Sequence, residues 1–168
     1  KLLWMNGEHL KRRGADEIAA GCQAAMRRQG LWRDDIDPAY FRAVVACMGE
    51  RIKLYSDLGE QAAFFFDEEF PYDEKSVKKR LLKDGALGIL REELAALEAV
   101  APFTAAATDA ALHDLGARTG RQMGDLVHPG RVAGSGTGGG PGLFDMLATL
   151  GKERALRRIR RTLALYGG

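Results

Sequence analysis

Residues 130–144, "GRVAGSGTGGGPGLF", combine the backbone freedom and the side chains best suited to chemistry in this chain. Six of the eleven residues from Val132 to Gly142 are glycine. Such a run lets backbone N–H and C=O groups come close to a phosphate or a nucleobase edge. It contains a formal G-x-G-x-x-G in Gly134, Gly136 and Gly139. A dinucleotide cradle also needs a strand before it, a helix after it and an acid about twenty positions on. The preceding "DLVHPGRVA" carries a proline that would spoil a central strand, and no Lys-Ser/Thr follows to make a Walker loop.

Other reactive residue types are sparse. From Lys152 to Arg161 the stretch "KERALRRIRR" holds six basic residues against one acid. That is either the solvated face of a helix or a surface for polyanions. Cys22 and Cys47 are far apart and read as small hydrophobes in a reducing compartment. His9, His113 and His128 show no ligand spacing with each other or with cysteine, so no metal site is expected. "DEE" at 67–69 reads as a solvated loop. With no nucleophile elbow and no paired carboxylates, the residues themselves describe a binding module without catalysis.

The elements that would carry these groups are helices. Ile18, Cys22, Ala25 and Met26 form one stripe, with Gly30 placed to end it. Asp37-Pro38 pairs an N-cap acceptor with a proline at the first helical position. From there Phe41, Val44, Val45, Met48, Ile52 and Tyr55 follow at helical spacing. A short helix is expected after Asp57, and the aromatics of "FFFDEEFPYD" read as core anchors between two halves. Asp73 and Thr104 stand as further caps, and Leu90, Leu94 and Leu97 form another stripe. A helix is expected from Pro141 to Leu150 and a last one over Lys152–Tyr166, with Gly151 between them. No β-branched alternation of strand length occurs, so the fold class is all-α, in two small helical subdomains.

Bulk properties set the limits. The chain has 168 residues, 46% of them apolar, and a net charge of +2. That supplies a core, and the charge alone argues for no polyanion. No apolar run approaches the ~18–20 residues of a membrane span, and Lys1–Leu10 lacks the apolar centre of a signal peptide. The start, "KLLWMNGEHL", reads as the interior of a longer protein.

Three ordered segments resemble bacterial glutamyl-tRNA synthetases: "KLLWMNGEHLKR" at 1–12, "DEKSVKKRL" at 73–81, and "MGDLVHPGRVAGSGTGGGPGLFDMLATLGKERALRRIRRTL" at 123–163. The resemblance covers essentially the whole chain and is to their C-terminal anticodon-binding region. It implies the end of a stem-contact region over 1–14, a first helical anticodon-binding subdomain over 15–70 and a second over 71–168. It also implies a tRNA-Glu partner and a catalytic N-terminal domain using ATP and Mg on the same polypeptide. A monomeric cytoplasmic ligase is implied, this piece itself having no catalytic residues and no cofactor.

By the same resemblance, Arg51, Arg131, Gly140, Pro141 and Leu143 line the anticodon surface. Splayed anticodon bases are read by hydrogen bonds to their edges and by stacking. Arg51, late in the long helix, and Arg131 would bond base edges or phosphates; Leu143 would pack on a base face. Arg157, Arg158, Arg160 and Arg161 are candidates for the tRNA backbone. Gly130 and Gly134 stand where the family usually has leucine, and Gly140 where a hydroxyl often occurs, which points to a looser loop. Two other functions stay open on the residues: a helical protein-interaction module without RNA binding, and a small nucleotide-binding domain using the glycine loop.

Overall fold

The structure, a computed structural model, describes residues 13–167 and divides after Glu69 into two compact units. The described residues form ten α-helices and no strand, so the all-α reading holds. The expected stem-contact remnant at 1–14 lies outside the described residues, apart from Arg13 and Gly14.

In the first unit, α1 (Ala15–Arg28) carries Asp16 and Glu17 in its first turn and Arg27 and Arg28 in its last. Each charge thus opposes the helix dipole at its end. Cys22, Ala25 and Met26 are buried as the stripe required, joined by Ala19. Helix α2 (Pro38–Met48) starts where the sequence says, with the Asp37 carboxylate accepting from Tyr40 N at 2.7 Å. Its expected continuation through Tyr55 fails. Gly49 takes φ +50, the helix stops at Met48, and a 3-10 turn follows over Gly49–Arg51. Ile52 is still buried, but from a loop. Tyr55 covers Gly21 of α1 so closely that a Cβ there would lie 2.5 Å from the ring. Two short helices follow instead of one, α3 (Asp57–Gln61) and α4 (Ala63–Phe66). Phe64 and Phe65 are core residues, and Tyr40 Oη donates to Phe65 O at 2.7 Å.

The second unit places α6 (Ala86–Glu98) against three others: α7 (Ala105–Thr119), α8 (Met123–Ser135) and α10 (Lys152–Tyr166). Helices α5 (Glu74–Arg80) and α9 (Leu143–Leu150) pack on α8. Asp73 caps α5 through Ser76 N at 2.8 Å, and Thr104 caps α7 through Ala107 N at 3.2 Å, as their positions predict. Helix α9 begins at Leu143 rather than Pro141, with Gly142 at its N-cap. The buried stripe of α6 is Ala86, Leu90, Glu93 and Leu97. It takes in Glu93 and leaves Leu94 half-exposed, one position off the leucine pattern.

The opening of this unit is pinned to its last helix. The Phe70 ring lies 4.6 Å from the Arg158 guanidinium, and Tyr72 Oη is 2.8 Å from Thr162 Oγ1. Asp73 N donates to Gly136 O at 2.8 Å, tying the same segment to the glycine loop.

Candidate functional site

The glycine run is half helix and half loop. Helix α8 continues through Ser135 despite Pro129, and both Gly130 and Gly134 lie buried within it. A Cβ at Gly130 would stand 2.8 Å from Glu93 Oε2, and one at Gly134 would stand 2.4 Å from Met146 Cε. These glycines let α6 and α9 close onto α8. A larger side chain at either position would meet Glu93, Leu143 or Met146.

Gly136 ends α8 at φ +77, with Pro71 O only 2.2 Å from where its Cβ would be. From there the loop is held by hydroxyls. The single Ser135 hydroxyl proton has Arg131 O at 2.9 Å and Thr137 O at 3.2 Å as acceptors, and Gly138 N donates to Ser76 Oγ at 3.0 Å. Beyond Gly138 the surroundings change. Gly139 and Gly140 are exposed, with nothing within 4 Å of a Cβ at either, and Gly140 has φ +105. Their backbone groups are the part of the loop that another molecule can approach.

Arg131 sits half-buried on α8 above this loop, its Nη1 reaching Gly138 O at 3.5 Å. Arg131, Gly140, Pro141 and Leu143 thus belong to one helix–loop–helix. Two of the four do not present a surface. Leu143 is 2% exposed and Pro141 is buried. Leu143 packs against Gly130, its Cδ2 3.4 Å from the Cβ position there, so it supports the loop from the core instead of offering a face to a base. Arg51, in the first unit, is exposed on its 3-10 turn. Among the described residues it forms no ion pair; Asp57 accepts from Lys53 N and Leu54 N instead, at 3.0 and 2.8 Å.

The four C-terminal arginines separate. Arg158 is 1% exposed, its Nη1 donating to Gly134 O at 2.7 Å and its guanidinium stacked on Phe70. Burial removes it from the candidates for a phosphate contact. Arg157 and Arg160 are exposed, pairing with Glu153 at 3.5 Å and Glu98 at 2.6 Å, and Arg161 lies over Phe70 and Tyr72. Exposed pairs of this kind hold weakly and can be exchanged for another anion.

Two groups near the loop escaped the sequence reading. Glu93 is fully buried with both carboxyl oxygens unpartnered. Burial raises its pKa well above the usual carboxylate range, against a smaller opposing pull from Arg121. Its place three residues after Leu90 and four before Leu97 was the available signal. His128 is half-buried, and burial, then the charges of Arg80, Arg131 and Lys79, lower its pKa. Among the described residues no helix is long and apolar enough to cross a membrane.

The chain matches the family described as "Anticodon binding domain" over residues 17–163. The glutamate–tRNA ligase of Thermus thermophilus is 38% identical over 166 residues, covering 98% of this chain and 34% of that protein. Glutamate–tRNA ligase 2 of Thermoanaerobacter pseudethanolicus is 32% identical over 163 residues, covering 97% of this chain and 34% of that protein. The chain therefore spans about a third of the length of these curated relatives. A crystal structure of a glutamate tRNA ligase from Elizabethkingia meningosepticum, in complex with its amino acid, shares the fold. Its TM-score is 0.83 at 22% identity, over 98% of this chain and 32% of that one.

Proposed function

The chain belongs to the anticodon-binding-domain family, and from that premise we propose that it reads the anticodon of tRNA-Glu for a glutamate–tRNA ligase. Activation of glutamate with ATP and Mg then falls to other parts of a longer polypeptide, acting as a cytoplasmic monomer. The observation that carries the reading is the loop after α8: pinned through Gly138, open at Gly139 and Gly140, with Arg131 above it.

That geometry suits unstacked bases. The Gly138 carbonyl lies 3.5 Å from the Arg131 guanidinium, whose planar fork matches a base edge or a phosphate. The open half offers exposed backbone N–H and C=O groups, the Gly139 carbonyl also accepting from Thr137 Oγ1 at 3.3 Å. Arg51 supplies a second guanidinium, an exposed one, from the first unit. A charged bidentate contact to a base edge discriminates by about 1–3 kcal/mol, the range known for DNA. Arg157, Arg160 and Arg161 add sequence-independent contacts to phosphate.

Equilibrium binding of tRNA-Glu and tRNA-Gln transcripts tests this. Arg131→Ala is expected to weaken binding of tRNA-Glu by about 1–3 kcal/mol. Arg51→Gln is expected to erode the preference for the cognate transcript more than total affinity; an unchanged ratio removes it as a reader. Absence of salt-dependent binding by the wild-type chain would sink the proposal in favour of a protein-interaction module.

A further inference from the structure

A second cationic surface lies beside Arg131. Helix α5 ends in Lys78, Lys79 and Arg80, and Lys83 follows in the loop. Cations near a helix C-terminus suit its dipole, which accounts for their place on α5. It does not account for what faces them. A shallow pocket here is lined by Lys79, Arg80 and Lys83 on one side and by Gly124, Asp125 and His128 of α8 on the other.

His128 and Arg131 are three residues apart and share one face of α8. Lys79, Arg80 and Arg131 all act on the His128 imidazole. So cations from two helices converge on one ring, continuous with the guanidinium assigned to base reading. Two carboxylates, Asp84 and Asp125, also face the pocket. Asp125 is 3.8 Å from Lys83 Nζ across an exposed contact, too long and too wet to neutralise it firmly. The three lining cations, Lys79, Arg80 and Lys83, outnumber the two acids, leaving the pocket positive. His128 Nδ1 is buried with no hydrogen-bond partner in the free chain.

We propose that Lys79, Arg80, Lys83 and His128 bind RNA backbone phosphates flanking the nucleotide contacted by Arg131. The assignment rests on the anticodon-reading function above and extends it to a site on α5 and the start of α8. A phosphate in the pocket meets the exposed Lys79 and Lys83 ammonium groups and the half-buried Arg80 guanidinium. Its charge also favours the protonated imidazole. Binding then takes up a proton at His128, and affinity rises as pH falls through the range in which that imidazole titrates. Burial, then the charges of Arg80, Arg131, Lys79 and Asp125, set that range, and Lys83 and Asp84 line the same pocket.

The test is binding of tRNA-Glu and tRNA-Gln transcripts to the 168-residue chain across a salt series. Lys79→Gln with Lys83→Gln removes two exposed charges and leaves half-buried Arg80 in place. Each phosphate contact contributes ~0.7–0.9 to the log–log salt slope, so the slope should fall by roughly 1–2. Affinity at low salt should fall about tenfold, with the ratio between the two transcripts unchanged. In the wild type, the His128 imidazole pKa followed by NMR should rise by at least about half a unit on saturation with tRNA. A wild-type chain that binds with anticodon preference, while the double variant keeps the full slope and His128 does not move, overturns the pocket alone. A wild-type chain that binds no tRNA overturns the functional reading, and the pocket with it.

Discussion

Gly130 and Gly134 differ from Gly139 and Gly140 in everything except their chemistry. The first pair lies inside α8, buried, with Glu93 and Met146 standing where a methyl group would go. The second pair is exposed, with empty space around each Cβ position. A glycine can serve close packing or backbone access, and its count along a stretch does not say which. Between the pairs, Gly136 packs closely and turns the chain as well: it takes positive φ and admits the Pro71 carbonyl. The contrast divides one glycine-rich segment into a rigid support and an accessible tip.

Substitutions can break or sharpen this division. The largest effect is expected at Gly136→Ala, where positive φ combines with a backbone oxygen that cannot step aside. The cost should be about 3 kcal/mol or more, read as a lowered denaturation midpoint. If Gly136→Ala unfolds at the wild-type midpoint, the support is not closely packed.

Next comes Glu93, the acid filling the gap beside Gly130. Glu93→Met keeps an unbranched side chain and removes the unpartnered carboxyl. It should stabilise the chain by about 1–3 kcal/mol at neutral pH. The pH dependence follows from the raised pKa. Above about pH 4.3 the unfolded acid loses its proton while the folded one keeps it. The Glu93 contribution is therefore intact below that value and is lost as pH rises toward the folded-state pKa, by at most ~1.4 kcal/mol per unit. His128, with its lowered pKa, acts in the opposite sense near pH 6.5, gaining as pH rises. The difference between wild type and Glu93→Met, followed by thermal melts from pH 5 to 8, cancels His128 and isolates Glu93. A difference that stays flat with pH contradicts a neutral buried acid.

Gly134→Ala meets only the tip of Met146, a flexible thioether that can yield. Better helix propensity offsets part of the crowding, leaving a net loss of about 1 kcal/mol. Smallest is Gly139→Ala, at a position of ordinary φ in open space. It should stabilise by about 0.4–1 kcal/mol through the unfolded chain. A measurable destabilisation there would place Gly139 with the support instead of the tip.

Local signals carried much of the fold. Asp37, Asp73 and Thr104 cap the helices their positions announce, because a cap needs only a side-chain oxygen and amides two or three residues on. Gly151 likewise separates two helices as read, the second running over Lys152–Tyr166. What could not be read locally depended on distant partners. Gly49 ends α2 inside an unbroken apolar pattern, since periodicity does not register one positive φ. Arg158 looked like part of a basic surface until Phe70 and Gly134 enclosed it. Leu143 looked like a contact for a base until the space over Gly130 absorbed it. For the candidate site, arginine positions were legible, but which of them face outward was decided by packing.

The anchoring of Phe70 and Tyr72 to α10 has a consequence for synthesis on the ribosome. Phe70 rests on Arg158, and Tyr72 on Thr162 and Tyr166, all contributed by the last described helix. The opening residues of this unit therefore leave the exit tunnel long before their partners are translated. Native closure must wait for α10, so a pause within that helix would leave the earlier helices assembled around an unfilled seam.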